Sequence, residues 1–581
     1  MAPYRPQPID PNALHAGFRR GKTSPRGVVW FGLSDFWGHL RHFLASAIAT
    51  DDVDSRDWMT PDSPTDLCWR VARELGAEVK ADTLTQCLER DVWIDYISDT
   101  GDDLEISQAM APLVFAQYEL PEPDRPDTYL LAPRGDILLF GGDTAYPVAT
   151  VDEVNNRVLV PFNRYLQHNT DGASRVLMGI PGNHDWYDGL DGFARLFRRR
   201  FEDEGKGTAS LIPVFPSPLE HAADWTRQFI RGGQVQKPKR LVLDGYRAVQ
   251  NASYFILPLS PDIHLCAVDR QLKVVDYRQK HFVTTWQKSH PRSTPWLIVP
   301  DPVYGFCQPR PSGQAMVDVL DVRYGEWPSF VLSGDIHHYQ RFMFGKTLNV
   351  IAGGGGAFLH AQPISNRDLL LPSGDQVARQ WPSSQQCRRL LWEVPLHIAA
   401  GRAGFIPHLV LLAVFLPMVT MRASLHIDAL GIWSTTVTLF LILWPLLSFL
   451  GGVRRSPRRI VTVAFFFALA IALLPLLAYG IFAHQWLHDA VTQGVRRAVR
   501  LGFCVFTGSF LFGAYLACLT WLGLEHTQAF TSLKHPGFKH FLRLRVRKDG
   551  KHVDGWCLGL TDPLAPDQKP QLVDSFTWRA G

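Results

Sequence analysis

The sequence predicts an α/β protein in which a soluble domain of short strands and polar loops precedes a group of four hydrophobic helices. Strand-length apolar runs recur between about residues 91 and 360, and several of them end directly in Asp, Asn or Gly. Long runs without Asp, Glu, Lys or Arg begin only after residue 400. At 581 residues the chain is also too long for one hydrophobic core, so two or more units are expected.

Composition argues against several classes of protein. The net charge is only +4, and no long basic block is interleaved with aromatic residues, so nucleic acid is not expected as a partner. The eight cysteines are irregularly spaced without a C-x-x-C pair, which favours a reducing compartment over a disulfide framework or a zinc knuckle. The first thirty residues lack the apolar core of a secretory signal, so a cleaved signal is not expected.

The region before the first predicted strand is divided into two parts. Residues 1–26, rich in proline and charge, are predicted to form a flexible leader, and residues 27–90 a helical extension. Amphipathic helices are predicted over 34–49 and 67–89. Packing of both on the soluble domain is expected, and a membrane-surface position for the first, with Trp37 facing lipid, stays open as an alternative.

The soluble domain is predicted to span residues 91–385. Its predicted strands are short, rich in apolar and β-branched residues, and cover 92–97, 137–140, 176–180, 253–257, 297–299, 330–332 and 348–351. Because chemistry in α/β proteins usually lies at the carboxyl ends of the strands, the residues that follow these runs are the candidates for function.

Four predicted membrane spans lie within residues 403–524, at 403–421, 429–453, 460–488 and 501–524. Each can cross the roughly 30 Å hydrocarbon layer as a helix. The loop at 453–459 carries four arginines, which predicts a multi-pass membrane protein with its soluble domain in the cytoplasm, although three arginines before the last span argue for the opposite orientation. Residues 525–581 are predicted to be a cytoplasmic tail unit containing β-strand.

Basic side chains in this tail are expected to face the bilayer. Lys534, Lys539, Arg543 and Arg545 are predicted to meet anionic lipid. The tail histidines are predicted to be surface residues beside them: His526, His535 and His540.

Four short motifs follow strands of the soluble domain in order. They are SDTGD at 98–102, GGD at 141–143, GNHD at 182–185 and GDIHH at 334–338. Two divalent cations about 4 Å apart need a bridging carboxylate, terminal oxygen and nitrogen ligands, and open positions for water and a phosphoryl oxygen. This ordered set therefore predicts a two-metal site, whereas each motif alone is more typical of a turn or a solvated loop.

The predicted ligands divide between the two ions. Asp143 is the predicted bridge, Asp99 and His337 are expected to hold one ion, and Asn183 and Asp335 the other.

Other residues of the motifs have different predicted roles. His184, next to a ligand, is the candidate general acid or donor to a phosphoryl oxygen. Asp102 and His338, which flank the ligands in the sequence, are further candidates for contact with metal or substrate.

The ordered motifs resemble those of the calcineurin-like metallophosphoesterase superfamily, whose pattern is D-x-H, GD, GNH[DE], a lone His, then GHxH. The resemblance covers about residues 91–360 and implies a sandwich of two mixed β-sheets flanked by helices. By motif it implies metal ligation and, for the histidine of GNHD, catalysis: Asp99, Asp143, Asn183 and His337 as ligands, and His184 as the catalytic histidine. The strings GGDTAYP, IPGNHDWYDGL, SGDIHHYQRF and GGGGAFLH, and the tail, resemble a membrane-bound subgroup.

Three positions depart from the superfamily pattern. Gly101 replaces the histidine of D-x-H, Asp335 replaces the first histidine of GHxH, and Asp301 stands where the lone histidine is expected. Asp301 is the candidate substitute for that histidine. The loss of imidazoles shifts the ligand set towards oxygen, which favours manganese or iron, with magnesium or zinc as alternatives, and leaves open a weakened or absent second metal.

The resemblance implies hydrolysis of a phosphoester by metal-activated water, with a phosphorylated substrate at or near the membrane surface and the lipid bilayer as partners. Two alternatives stay open: a degenerate, non-catalytic phosphoesterase fold that serves as a binding or scaffold module on a membrane anchor, and a transporter with a regulatory soluble domain. The sequence does not determine the substrate or the oligomeric state.

Overall fold

The computed structural model describes most of the chain. The described residues are 3–9, 22–33, 35–37, 40, 59–199, 240–270, 275–364, 371, 374–375, 377–421, 429–451, 457–478 and 493–581. The described strands are β1 (Gln7–Pro8), β2 (Val92–Ile97), β3 (Tyr118–Glu122), β4 (Arg125–Ala132), β5 (Ile137–Phe140), β6 (Arg175–Gly179), β7 (Tyr246–Ala248), β8 (Phe255–Ser260), β9 (Ile263–Ala267), β10 (Thr294–Val299), β11 (Tyr304–Gly305), β12 (Gln308–Pro309), β13 (Ser329–Ser333), β14 (Tyr339–Phe344), β15 (Thr347–Ala352), β16 (Val377–Trp381), β17 (Lys539–Val546), β18 (His552–Leu560) and β19 (Gln571–Arg579).

Helices connect these strands and form most of the region between β16 and β17. They are α1 (Pro64–Glu74), α2 (Leu84–Leu88), α3 (Leu104–Phe115), α4 (Val151–Val154), α5 (Val160–His168), α6 (Asn183–Trp186), α7 (Asp191–Phe197), α8 (Tyr277–Ser289), α9 (Pro311–Val319), α10 (Ser384–Leu391), α11 (Val394–Ala399), α12 (Ile406–Met421), α13 (Ala429–Leu450), α14 (Pro457–Ala478), α15 (Gln493–Trp521) and α16 (Gln528–Leu533). A π-helical turn, Asn155–Leu159, joins α4 to α5.

Two large mixed sheets form the centre of the fold. The first has the order β1-β19-β18-β17-β2-β5-β6-β7, and the second β16-β14-β15-β13-β10-β9-β8. The strands β2, β5, β6 and β7 run parallel in the first sheet, and β9, β10, β13 and β15 run parallel in the second. The carboxyl ends of each parallel set therefore lie along one edge of its sheet.

Alternating side chains bury both faces of each sheet. Ile94 and Leu139 of the first sheet share a core with Trp296 and Leu332 of the second, so the two sheets pack face to face. The outer face of the first sheet packs on α3 and α5, and that of the second on α8 and α9. Because a two-sided sheet must bury both faces, this helix, sheet, sheet, helix order follows from the continuous apolar strands. The prediction of an α/β protein is confirmed.

The sequence predicted the observed strands more accurately than the observed helices. The predicted runs 92–97 and 137–140 coincide with β2 and β5. The single helix predicted over 67–89 is instead two helices, α1 and α2, because Gly76 adopts a positive φ of 85° and ends the first. Most of the helix predicted over 34–49 lies outside the described residues.

The described parts of the predicted leader are attached to the domain. Strand β1 pairs in parallel with β19. The backbone N–H groups of Gly27 and Val28 donate to the carboxylates of Asp103 and Asp102, at 3.0 and 2.9 Å. The backbone N–H groups of Lys22 and Thr23 also donate to Glu105 Oε1, at 2.6 and 2.7 Å. These described parts of the predicted leader thus hydrogen-bond to the domain, and the flexibility of the leader stays a prediction.

The C-terminal segment is part of the first sheet and not a separate tail unit. Strand β17 pairs antiparallel with β2, and β18 and β19 extend the sheet beyond it. Lys539 and Arg543 are fully buried, so the expectation that they face lipid is wrong. The tail histidines predicted at the surface are buried as well: His526, His535 and His540. A sheet that takes strands from both ends of the chain places these polar residues inside.

The four predicted spans fall on α12, α13, α14 and α15, except for 479–488, which lies outside the described residues. Within the part of the chain that the structure describes, one helix, Arg497–Trp521, is long and apolar enough to cross a membrane. The apolar stretches Ile406–Leu416 and Thr436–Leu450 are shorter than 18 residues. The four-helix membrane bundle is thus not confirmed, because the described apolar length of the other helices falls short of the hydrocarbon thickness.

Candidate active site

The four sequence motifs meet where the carboxyl ends of the two sheets adjoin. The loop after β2 contacts the loop after β13 through a hydrogen bond of 3.1 Å from the backbone N–H of Asp335 to Asp99 Oδ2. The backbone N–H of Gly355, after β15, donates to the carbonyl of Ser98 at 2.9 Å. Parallel strands in two packed sheets therefore bring together residues that are more than 200 positions apart in the sequence.

Three of the predicted ligands share an unusual backbone conformation. Asp99, Asp143 and Asp335 have positive φ angles of 60°, 48° and 63°. A non-glycine residue in this left-handed region costs on the order of 1–2 kcal/mol, although Asp tolerates it better than most. Each aspartate comes at or just after the end of a parallel strand, where the turn directs its carboxylate into the space between the two sheet ends.

A tyrosine hydroxyl lies at the centre of the first group of predicted ligands. Tyr146 Oη is 2.9 Å from Asp99 Oδ1, 3.2 Å from Asp143 Oδ2 and 3.0 Å from His337 Nε2. His337 Nε2 is also 3.3 Å from Asp99 Oδ1. The predicted ligands Asp99, Asp143 and His337 are thus brought together, and the tyrosine three residues after Asp143 joins them.

Neighbouring groups orient the side chains of this cluster. The carbonyl of Phe358 lies 2.7 Å from His337 Nδ1, and since a carbonyl oxygen can only accept, that nitrogen carries the proton. With its proton on Nδ1, the neutral form of His337 would present the lone pair of Nε2 to the cluster, as metal-binding histidines usually do. Asp99 Oδ2 in turn accepts from the Ser98 hydroxyl at 2.6 Å.

Two glycines leave the space that the carboxylates occupy. A Cβ atom at Gly182 would lie 2.1 Å from Asp143 Oδ1, and one at Gly334 would lie 2.7 Å from Asp99 Oδ2. Both distances are far below a van der Waals contact, so any larger residue would displace the carboxylates. The first residues of GNHD and GDIHH must therefore be glycines because a carboxylate lies too close for any side chain, whatever the conformation of the turn.

His184 lies beside this cluster with a defined tautomer. Its ring centroid is 4.4 Å from that of Tyr146, and its backbone N–H donates to Asp143 Oδ1 at 2.8 Å. The Pro147 carbonyl accepts from His184 Nδ1 at 2.6 Å, so the lone pair of the neutral ring is on Nε2.

The residues predicted for the second ion are engaged in other contacts. Asn183 Nδ2 donates to the Tyr187 hydroxyl at 2.9 Å. Asp335 Oδ2 lies 3.1 Å from Arg310 Nη2, and Asp301 Oδ2 lies 2.7 Å from Arg270 Nη1. Asp301, the candidate substitute for the lone histidine, lies near enough to Asp335 for its charge to act on that carboxylate, and it is itself paired with an arginine.

Burial and mutual repulsion raise the pKa values of the acidic groups. Burial and then the charge of Asp99 raise the pKa of Asp143 well above its ordinary value. Burial and then Asp301 raise the pKa of Asp335 to about 6. Burial, Asp143 and Asp99 also raise the pKa of Tyr146. A bound cation would favour the ionised forms of all these groups, so the cluster is electrostatically suited to positive charge.

The donor set fits one metal ion better than two. Asp99, Asp143 and His337 place two oxygens and one nitrogen around the Tyr146 hydroxyl, and these donor types suit manganese or iron. Among the described residues, however, no group of three or more His, Cys, Asp or Glu side chains is arranged to hold a metal ion. The reason is visible in the geometry, since the Tyr146 hydroxyl stands between the other donors, and a cation held there would have this oxygen among its ligands.

Two of the other candidates are not brought to the cluster. Asp102 Oδ1 accepts from the N–H of Val28, and its carbonyl accepts from Arg157 Nη1 at 2.5 Å, so it anchors the N-terminal segment. His338 is buried next to Phe306, and burial lowers its pKa to about 3. The printed contacts of both residues thus lie with neighbouring segments of the fold, and their contact with metal or substrate stays a prediction.

The sequence reasoning missed three residues, namely Tyr146, Arg270 and Arg310. Tyr146 had a signal, since it lies three residues after the predicted bridge in GGDTAYP. The arginines had none, because they come from separate loops whose meeting depends on the order of strands in the second sheet.

Residues near the N-terminus line one side of the site. The Trp30 ring lies edge-on to the His184 ring with centroids 5.8 Å apart, and to Phe358 at the same distance. The next residue, Phe31, donates to the carbonyl of Ala403 and accepts from the N–H of Ile406, at 3.2 and 3.0 Å. Two consecutive residues thus connect the site to the first turn of α12.

Comparisons with known proteins give only distant similarities. No family model and no curated protein matches the sequence. A solved structure of PhoD is 10% identical, with 46% of this chain and 58% of the PhoD chain covered and a TM-score of 0.24. GAP50, the anchor in the inner membrane complex of Plasmodium, is 8% identical, with 46% of this chain and 73% of that chain covered and a TM-score of 0.26. These TM-scores are too low to support a conclusion about this chain.

Proposed function

We propose that the chain is a metal-dependent phosphoesterase that hydrolyses a phosphoester at the junction of the two sheets. The observation that carries the proposal is the convergence of Asp99, Asp143 and His337 on the Tyr146 hydroxyl, with His184 beside them. These residues come from separate loops, and three of the aspartates in this region adopt a costly backbone conformation. Such strain is typical of functional sites.

Each residue has a role that follows from its contacts. Asp99, His337, Tyr146 and Asp143 would hold the cation, which supplies positive charge for the phosphoryl oxygens and makes water a better nucleophile. His184 Nε2 would exchange a proton with the leaving oxygen, because its Nδ1 proton is held by the Pro147 carbonyl. The carbonyl fixes the ring so that this nitrogen needs no reorientation during the reaction.

Membrane anchoring is the second part of the proposal. Helices α12 to α15 carry large apolar side chains on their outer surface, including Trp433, Phe449, Phe466 and Phe506, each at least half exposed. The Trp30–Phe31 connection holds the site close to the start of α12. These features support a substrate at the membrane surface, and the arginine-rich loop at 453–459 supports a cytoplasmic site.

The test is hydrolysis of a panel of generic mono- and diesters of phosphate by the full chain in detergent, with manganese or iron. We expect metal-dependent turnover that falls at least about a hundredfold in His184→Ala and in Asp143→Asn. His168→Ala, at an exposed helix end, is the matched control and should retain turnover. Bound metal without turnover on any ester would instead favour the non-catalytic binding module.

A further inference from the structure

Two arginine–aspartate pairs involve candidate ligands of the second ion. Arg270 Nη1 lies 2.7 Å from Asp301 Oδ2, and Arg310 Nη2 lies 3.1 Å from Asp335 Oδ2. The arginine side chains are only 17% and 20% exposed. Because these carboxylates stand where the resemblance places metal-binding histidines, the pairs occupy the region expected to hold a second cation.

The pairs are unfavourable for a second cation. A metal ligand must direct an oxygen lone pair at the ion, and one oxygen of each carboxylate already contacts a guanidinium. A divalent ion on the same carboxylate would also lie within a few ångströms of that fixed positive charge, which disfavours its binding. Asn183, the third predicted ligand, meanwhile donates from its amide nitrogen to Tyr187.

Both arginines are held by the fold. Arg270 follows β9, and Arg310 immediately precedes α9. The backbone N–H of Arg310 donates to the Val303 carbonyl at 2.9 Å, and a Cβ at Gly305 would lie 3.3 Å from the Arg310 side chain, which packs closely over this glycine. Asp335 experiences the charges of both arginines, so both guanidinium groups lie near its carboxylate.

We propose that the site holds a single cation, and that Arg270 and Arg310 replace the second by binding the oxygens of the substrate phosphoryl group. The proposal rests on the proposed phosphoesterase function. A guanidinium carries five N–H donors in a planar fork, and the named contact with each aspartate uses one nitrogen. The remaining N–H groups of both residues suit a dianionic terminal phosphate, so phosphomonoesters are the favoured substrate class.

The first test measures metal content in the full chain, purified in detergent, stripped of metal and reloaded with manganese or iron. Elemental analysis should find one ion per chain in the wild type. Asp335→Asn and Asp301→Asn should keep that ion, whereas Asp99→Asn should lose it. Two ions per chain in the wild type, or loss of an ion in Asp335→Asn, would overturn the single-cation site while leaving the phosphoesterase function intact. No bound ion at all would contradict both.

The second test measures binding of inorganic phosphate to the metal-loaded chain by calorimetry. Arg270→Gln and Arg310→Gln should each weaken binding by about tenfold or more without changing the metal content. Arg310→Lys should bind phosphate more tightly than Arg310→Gln and less tightly than the wild type, because lysine keeps the charge but lacks the planar fork of N–H donors. Arg292→Gln, on an exposed loop, is the matched control. Unchanged phosphate affinity in both glutamine variants, with unaltered thermal unfolding, would refute the role of the arginines.

Discussion

Removal of the ion pair between Asp95 and Arg543 should strongly destabilise the soluble domain. Both side chains are fully buried. Arg543 Nε and Nη2 donate to the two oxygens of Asp95 at 2.7 and 3.1 Å, and the guanidinium also donates to the carbonyls of Ala116 and Val114 at 2.7 and 2.8 Å. One side chain thus connects the C-terminal strand β17 to β2 and to the end of α3.

The size of the expected loss of stability follows from the polar groups that Arg543→Ala would leave without a partner. Asp95 would keep one other hydrogen bond, from the backbone N–H of Gly135 at 2.8 Å, and the two carbonyls would lose their donor. Breaking a buried pair by removing one partner costs about 3–5 kcal/mol. Since a whole domain is stable by only about 5–15 kcal/mol, the loss is a large fraction of the total. The double variant Asp95→Leu/Arg543→Met should recover much of the loss, because no unpaired charge remains.

Urea unfolding of the full chain in detergent, followed by tryptophan fluorescence, measures the change. Trp93 and Trp556 stack with ring centroids 5.8 Å apart across the same sheet and should report its loss. The control is Arg195→Ala, which removes a partly exposed pair with Asp191, four residues earlier on the same helix, and should cost only about 0.5 kcal/mol. A loss below about 1 kcal/mol in Arg543→Ala would refute the reasoning that this substitution leaves a buried charge without its partner.

Three further predictions concern a buried lysine, a close-packed glycine and the central tyrosine. Burial lowers the pKa of Lys539 to about 7 from 10.5, so the unfolded chain binds more protons between these values, and stability should rise from pH 7 to pH 10. Urea unfolding at several pH values should show a rise in the free energy of unfolding of the wild type and a flat pH profile in Lys539→Met. An equal dependence on pH in the two proteins would contradict the prediction. Gly334→Ala should reduce metal content and turnover at least about tenfold, because its Cβ would displace Asp99, whereas Gly494→Ala, with open space around it, should not. Tyr146→Phe should lower metal affinity in a competition assay with a chelating dye, and wild-type affinity would exclude its oxygen from the ligands.

Local patterns in the sequence were sufficient for the strands and for the first half of the site. Apolar runs of strand length predicted β2 and β5 to the residue, and the polar residues after them included Asp99 and Asp143. Such signals are readable because a strand buried on both faces is apolar throughout, and the residues at its carboxyl end are polar wherever they line a site.

The tertiary structure decided which distant residues meet. Strand order places β17 beside β2 and brings the Arg270–Asp301 and Arg310–Asp335 pairs near each other, and no local pattern specifies it. Tertiary structure also decided which residues are buried. The basic residues of the C-terminal segment are predicted at the surface from sequence, but β17 has a paired strand on each side, which buries Lys539 and Arg543. Sequence alone therefore determined strands such as β2 and β5 and the polar residues that follow them. The sheet order determined the charge balance around Asp301 and Asp335, because long-range pairing brings together groups that are far apart in the chain.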